Sequence, residues 1–226
     1  MNNKGEGSGP STFATMSLRE SIQHIADPDR HSGGASAAAV SAAHAAATAQ
    51  LVTSLNGRRG KNPERAAASQ RATSELVRIH DALLVAADDD SALLSELMAA
   101  LAARKSSDTD RKRYRQLLAD AAASALAIAE LIVPLLDVVE REQQQTSAFL
   151  VSDLGAAVAI ASGAIDAALF TVIANAEYLH QEGELNEATR IMARARDARD
   201  DATAKAEAVR SEVLSRYAIT KGVDRS

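Results

Sequence analysis

The chain has no cysteine and no tryptophan in 226 residues, and only three phenylalanines, three tyrosines and four prolines. Without cysteine there is no disulfide, no thiolate nucleophile and no Cys-ligated metal, which is compatible with a reducing cytoplasm. Excess positive charge is lacking as well. The net charge is −5 and the isoelectric point about 5.6, with lysines and arginines scattered rather than clustered, which argues against a nucleic-acid partner. The five histidines (His24, His31, His44, His80, His180) follow no HExxH or similar ligand spacing, so no metal is assigned. No secretory h-region and no run of 18 apolar residues is read, so neither export nor membrane insertion is expected. The expectation is a soluble, cytoplasmic chain.

What the sequence has is alanine. Roughly a fifth of the residues are alanine, against 24% charged and 3% aromatic, the balance of long helices in close contact. No strand-like alternation of useful length and no internal repeat interrupts this pattern. The expected fold is all-α, an elongated antiparallel bundle of long helices forming a single domain over residues 16–217. Residues 1–15, rich in Gly, Ser and Asn, read as a disordered lead-in, and 218–226 as a frayed tail. Ser17 with Glu20 has capping-box spacing for a short first helix ending at Asp27-Pro28. A second helix is expected from about 35 to 55, stopped by Asn56-Gly57, and a third from Pro63 to about 104 with Leu76, Ile79, Leu83, Leu84, Leu93, Leu97 and Leu101 inward. The fourth spans about 108–144 with a kink at Pro134, the fifth runs from Thr146 or Ser147 to about Leu179, and a charged sixth reaches Tyr217. Alanine buries little area per residue, so a homo-oligomer, a dimer first, is expected to supply stability, with His44 as a packed interface residue.

Residues 31–36, HSGGAS, open the alanine-rich helix. A helix N-terminus bares unpaired N–H groups and about half a positive charge, and glycines let a ligand reach that backbone. The segment reads as a ligand cradle or as a plain turn into the helix, and spacing alone leaves both open. It is neither a P-loop nor a dinucleotide fingerprint, since no strand precedes it and no GK[ST] or third spaced glycine follows.

Three stretches in order carry a resemblance: SLRESIQHIADPDRHSGGASAAAVSAAHAAATAQLVTSL from residue 17, ADDDSALL from 87, and VSDLGAAVAIASGAIDAALFTVIAN from 151. Over nearly all of residues 17–217 the chain resembles the formimidoyltetrahydrofolate cyclodeaminase and methenyltetrahydrofolate cyclohydrolase family, with its PGGGS turn, its Asp-x-x-Ala-Phe element, and its Ser-Asp-Leu segment followed by an asparagine pair. Gly33, Gly34, Ser36, Ser152, Asp153, Gly155 and Asn175 match that pattern. Ser32 stands in place of its proline, Ala35 of its third glycine, Gln23 of a common acidic residue and Thr171 of its first asparagine.

The resemblance implies a tetrahydrofolate derivative as substrate or one-carbon donor, no metal, and a carboxylate that steadies a cationic carbon and moves a proton. On that footing Asp153 is the first candidate, with Ser152 beside it; a carboxylate at a helix start equally serves the dipole. Asp89 is the second candidate, against a solvated acidic run at 88–90. His31 is the histidine placed to act as acid or base. Gly33, Gly34 and Ser36 would cradle the ligand, Asn175 would hold the pterin, and Arg58, Arg59 and Lys61 would pair with its carboxylates unless they form a solvated loop. Asp153 and Asn175, 22 positions apart, stand about 33 Å from each other on an unbroken helix, so one site takes both only through a helix break or a second subunit. Two classes of function follow: a folate one-carbon enzyme, or a non-catalytic helical oligomer that binds folate or a protein partner.

Overall fold

The structure, a computed structural model, describes residues 12–59 and 62–217. Six helices account for nearly all of them: α1 (Leu18–Ala26), α2 (Gly34–Arg59), α3 (Pro63–Ala103), α4 (Asp108–Gln143), α5 (Val151–Gln181) and α6 (Leu185–Ser215). The long helices α2, α3, α4 and α5 close a ring in which α2 packs on α3 and α5, and α4 packs on α3 and α5; α6 lies against α4 and α5. The all-α bundle is the one expected from composition.

Local chemistry sets the helix starts. Ser17 and Glu20 form the reciprocal capping box of α1. Asn62 caps α3 ahead of Pro63, and Ser107 caps α4 through the Asp110 N–H. Gly183, at φ +92, takes the left-handed position that ends α5 and turns the chain into α6.

Several boundaries differ from expectation. α2 runs through Asn56-Gly57, because Asn56 gives its side chain to Glu142 and Thr146 instead of ending the helix, so Arg58 and Arg59 occupy its last turn and not a loop. α5 begins at Val151, after a turn over Ser147–Leu150. α4, by contrast, keeps its expected span, with Pro134 inside it. Residues 12–15, expected to be disordered, form a turn in which Phe13 is buried against His24 and donates its N–H to Asp88 Oδ1 at 2.9 Å. The rest of the expected lead-in, Lys61 and the expected tail lie outside the described residues.

The core is Leu76, Leu83, Leu126, Ile132, Leu136, Leu154 and Val172 between the four ring helices, with alanines of α2 beneath them. Of the expected α3 stripe, Leu76, Ile79, Leu83 and Leu97 are buried and Leu84, Leu93 and Leu101 pack against the core from its edge. α6 is held by ion pairs as well as packing: Arg194 reaches Glu130, Lys205 bridges Asp137 and Asp201, and Arg216 donates to the Gln143 and Thr146 carbonyls. The reading that no stretch could span a membrane needs correction. α4 and α5 are each long and apolar enough to do so by length and composition. Here α4 packs against α2, α3, α5 and α6, and α5 against α2, α4 and α6.

Leu126 is fully buried on α4. Leu126→Ala removes its packing and leaves a cavity, and should cost about 2–5 kcal/mol in a denaturant titration with an unchanged m-value.

Candidate functional site

The glycine segment is fastened to α3 by hydroxyls. Ser32 Oγ lies 2.8 Å from Ser91 Oγ, and Ser95 Oγ lies 3.3 Å from His31 Nδ1. His31 adopts a left-handed backbone at φ 52, a strained conformation for a residue with a Cβ, and this turns the chain abruptly into α2. A Cβ on Gly33 would come within 3.3 Å of Leu94 Cδ2, and one on Gly34 within 3.3 Å of Thr171 Oγ1. The two glycines therefore let the start of α2 sit tightly between α3 and α5. Their fit to these neighbours supports the turn reading without removing the exposed amide end.

Beneath that end lies a buried carboxyl. Asp90 is 7% exposed and accepts the Ser36 hydroxyl at 2.6 Å, with Ser124 Oγ at 3.5 Å on its other oxygen. Ser36 is in the first turn of α2, and its backbone N–H also contributes to Asp90. The carboxyl of one helix thus caps the positive end of another. Burial pushes Asp90 above the usual carboxylate range, against the hydrogen bonds from Ser36 and Ser124 that pull it down. Asp89, the second candidate from the sequence, is exposed on the outer side of α3, as the solvated-run alternative has it. The reason is register: the buried positions 76, 79, 83, 87, 90 and 97 advance by threes, fours and one double step, and residue 89 falls about 100° off that line. The same count would have identified Asp90 from the sequence.

The expected site residues separate into two groups. Gly34 beside Thr171 makes α2 and α5 antiparallel, so the start of α2 meets the second half of α5. His31, Gly33, Gly34, Ser36, Asp90 and Thr171 gather at this end, with Asn175 one helical turn beyond Thr171 on the same face. Asp153 and Ser152 are in the first turn of α5, about 27 Å away along the helix axis. Arg58 and Arg59, at the end of α2, belong to that second end, where Asn56 bonds Thr146 just ahead of α5. α5 is unbroken from Val151 to Gln181, so one protomer cannot bring Asp153 and Asn175 to one ligand.

The second end has a polar interior that sequence reading did not find. Glu142 is 3% exposed and accepts from Asn56 Nδ2 at 3.1 Å, Ser69 Oγ at 2.8 Å and Gln145 Nε2 at 2.6 Å. This network ties α2, α3 and α4 together. It floors a groove of about 860 Å³ that also carries Arg71, Arg78 and Arg141. Among the described residues no cluster of three His, Cys, Asp or Glu side chains could hold a metal.

The family model described as formiminotransferase-cyclodeaminase matches residues 17–195. Among solved structures the chain is similar to formiminotetrahydrofolate cyclodeaminase from Thermotoga maritima, with a TM-score of 0.80 at 17% identity, over 89% of this chain and 98% of that one. That likeness is one of fold. No curated protein matches the sequence.

Because Asp90 is raised in the folded chain, the stability it contributes is fully present below the ordinary carboxylate range and is lost as pH rises through its folded value. Asp90→Asn should remove that decline while keeping the hydrogen bond to Ser36. Thermal melts across the acidic to neutral range should then show the variant's advantage growing with pH; an advantage that shrinks with pH would mean the charged carboxylate is the favoured form.

Proposed function

This chain belongs to the formiminotransferase-cyclodeaminase family, and from that premise we propose that it is a folate one-carbon enzyme acting on formimidoyl- or methenyl-tetrahydrofolate. The observation that carries the reading is the buried Asp90–Ser36 pair under the glycine-led start of α2, with a half-buried histidine at the same mouth.

The chemistry needs two things: stabilisation of a cationic carbon and transfer of one proton. In cyclodeamination N10 attacks the formimidoyl carbon, the C–N bond to the imino nitrogen breaks, the N10 proton leaves and the departing nitrogen is protonated and released as ammonia. In cyclohydrolysis water adds to the methenyl carbon and loses one proton to a base, and the remaining hydroxyl proton passes to the ring nitrogen whose bond to that carbon breaks, leaving a formyl group on the other nitrogen. Both pass through positive charge at one carbon.

His31 is the proton carrier in this reading. Ser95 holds its Nδ1, which leaves Nε2 free to act at the mouth. Asp90 is a positioning residue: it fixes Ser36 and the first turn of α2, and supplies negative potential below the cation. Gly33 and Gly34 give the ligand access to backbone amides and Asn175 offers a donor and an acceptor to the pterin ring, whereas Arg58 and Arg59, at the far end of α2, would meet its carboxylates only from a second subunit. The protein works as a cytoplasmic homo-oligomer and needs no metal.

A second reading, folate binding without turnover, is favoured by one observation. Thr171, where the family pattern has asparagine, packs its hydroxyl beside Gly34 and so replaces an amide at the mouth with a smaller group.

Purified protein mixed with 5,10-methenyltetrahydrofolate should accelerate the loss of its near-ultraviolet absorbance. His31→Gln should lower kcat by about 10²–10⁴-fold with little change in KM, the range for loss of a general acid or base. Binding without acceleration selects the second reading, and absence of binding removes folate from both.

A further inference from the structure

The turn that carries His31 is held on α3 by two hydroxyls one helical turn apart. Ser91 Oγ lies 2.8 Å from Ser32 Oγ and 3.5 Å from the Arg30 carbonyl oxygen, and Ser95 Oγ lies 3.3 Å from His31 Nδ1. Residues 30, 31 and 32 thus each reach one of a pair of serines spaced i, i+4 on one face of α3. Ser91 is buried and Ser95 half-buried. Ser91 fastens the chain, whereas Ser95 touches the imidazole itself, and the second hydrogen bond of Ser95 decides what that ring can do.

The proton of Ser95 is already placed. Its hydroxyl donates to the Ser91 carbonyl oxygen at 3.3 Å, one turn back along α3. A serine hydroxyl has a single proton, and a carbonyl oxygen can only accept. With that proton on Ser91, Ser95 Oγ has only lone pairs to offer His31, so the contact is made by an N–H on Nδ1. The reverse arrangement, with the hydroxyl proton turned toward Nδ1, sets the lone pairs of Ser95 Oγ and of the Ser91 carbonyl oxygen against each other across the same 3.3 Å.

We propose that Ser95 is a positioning residue that fixes the Nδ1–H tautomer of His31, so that Nε2 presents a lone pair at the glycine mouth and His31 enters the reaction as a base. This rests on the folate reading of the mouth and adds the direction in which its histidine moves a proton.

The tautomer separates two roles. A neutral imidazole has one donor and one acceptor nitrogen, and the hydrogen bond made by one sets the state of the other. An Nε2–H ring would meet a substrate as a donor; an Nδ1–H ring meets it as an acceptor. In cyclohydrolysis an O–H bond of the attacking water breaks, its electron pair stays on the oxygen that bonds the methenyl carbon, and the proton passes to Nε2. The imidazolium then returns that proton to solvent. In cyclodeamination Nε2 takes the N10 proton as N10 bonds the formimidoyl carbon. It hands the proton to the imino nitrogen, which has received the π electron pair of the C=N bond.

The orienting group is neutral. Among the described residues, the histidine within 4 Å of a carboxylate is His80, beside Asp81 at 3.1 Å, and His31 has a hydroxyl instead. In many nucleophile and base pairs the third group is a carboxylate. A hydroxyl sets the orientation and the tautomer without placing a charge beside the ring.

The full chain labelled with ¹⁵N-histidine reports the tautomer directly, in buffer alkaline enough to keep the imidazoles neutral, and the His31 signals are those absent from His31→Gln. Nδ1 should appear at the protonated, pyrrole-like position and Nε2 at the unprotonated, pyridine-like one. Ser95→Ala should shift the population toward the Nε2–H form and lower kcat for 5,10-methenyltetrahydrofolate about 5- to 10-fold with KM unchanged, the factor set by one neutral hydrogen bond. Ser95→Thr keeps a hydroxyl able to bond the carbonyl four residues back and should restore both readouts. Ser91→Ala keeps the carbonyl that orients Ser95, so it should leave the tautomer unchanged while releasing Ser32. An Nε2–H ring in the wild-type chain overturns the proposal, with or without turnover. A Ser95→Ala variant whose kcat falls while its tautomer stays overturns it too, because Ser95 then acts on the fold alone, as does one whose tautomer changes while kcat holds. An Nδ1–H ring in a chain that turns over no folate upholds the tautomer and overturns the folate reading instead.

Discussion

The buried contact between Ser36 and Asp90 holds the rest of this molecule in place. It joins the first turn of α2 to the middle of α3, at a point where an alanine helix has few other means of fixing its position. Alanine side chains fill space but have almost no shape, so they leave axial sliding and rotation weakly specified. A short hydrogen bond from an interior hydroxyl to an interior carboxyl specifies both. Once α2 is registered on α3, Gly34 meets Thr171 and sets α5, and Ser32 and Ser95 draw the strained His31 turn onto α3. Burying Asp90 has a cost, which its raised affinity for a proton records. A carboxyl retained under that penalty beneath a helix N-terminus places negative potential where a cation-forming reaction can use it.

A comparable arrangement fixes the other end. Glu142 gathers Asn56, Ser69 and Gln145, and Asn56 extends the network to Thr146 ahead of α5. The two polar knots tie opposite ends of a bundle whose middle is small and apolar. This division explains why α2 continues past Asn56-Gly57: a residue that ordinarily ends a helix by bonding its own backbone is engaged by a neighbouring helix instead. It also explains the separation of the chemical groups. Each end has its own polar interior, and the unbroken α5 keeps them about 27 Å apart.

How the site works follows from that separation. A glycine-led mouth with one histidine and a carboxyl sealed below it can hold a ligand and move a proton, yet Asp153, a half-buried carboxylate that matches the family pattern, is at the opposite end of α5 from Thr171 and Asn175.

The sequence by itself determined the secondary structure and its class, because helix propensity, the Ser17–Glu20 box, Pro63 after Asn62 and the breaks near 106 and 183 are local effects that act within a few residues. The α3 stripe was equally legible, since a period of 3.6 is written in the chain; counted through, it also separates Asp90 from Asp89. Tertiary structure decided what local signals cannot carry. That Asn56 bonds Glu142 rather than ending α2, that Phe13 is drawn into the core by Asp88, and that Gly34 abuts Thr171 are contacts between residues 75 or more positions apart, and no periodicity encodes them. The location of Asp153 relative to the glycine mouth is of the same kind: spacing along α5 gives its distance from Asn175, but only the antiparallel packing of α2 on α5 says at which end the mouth lies.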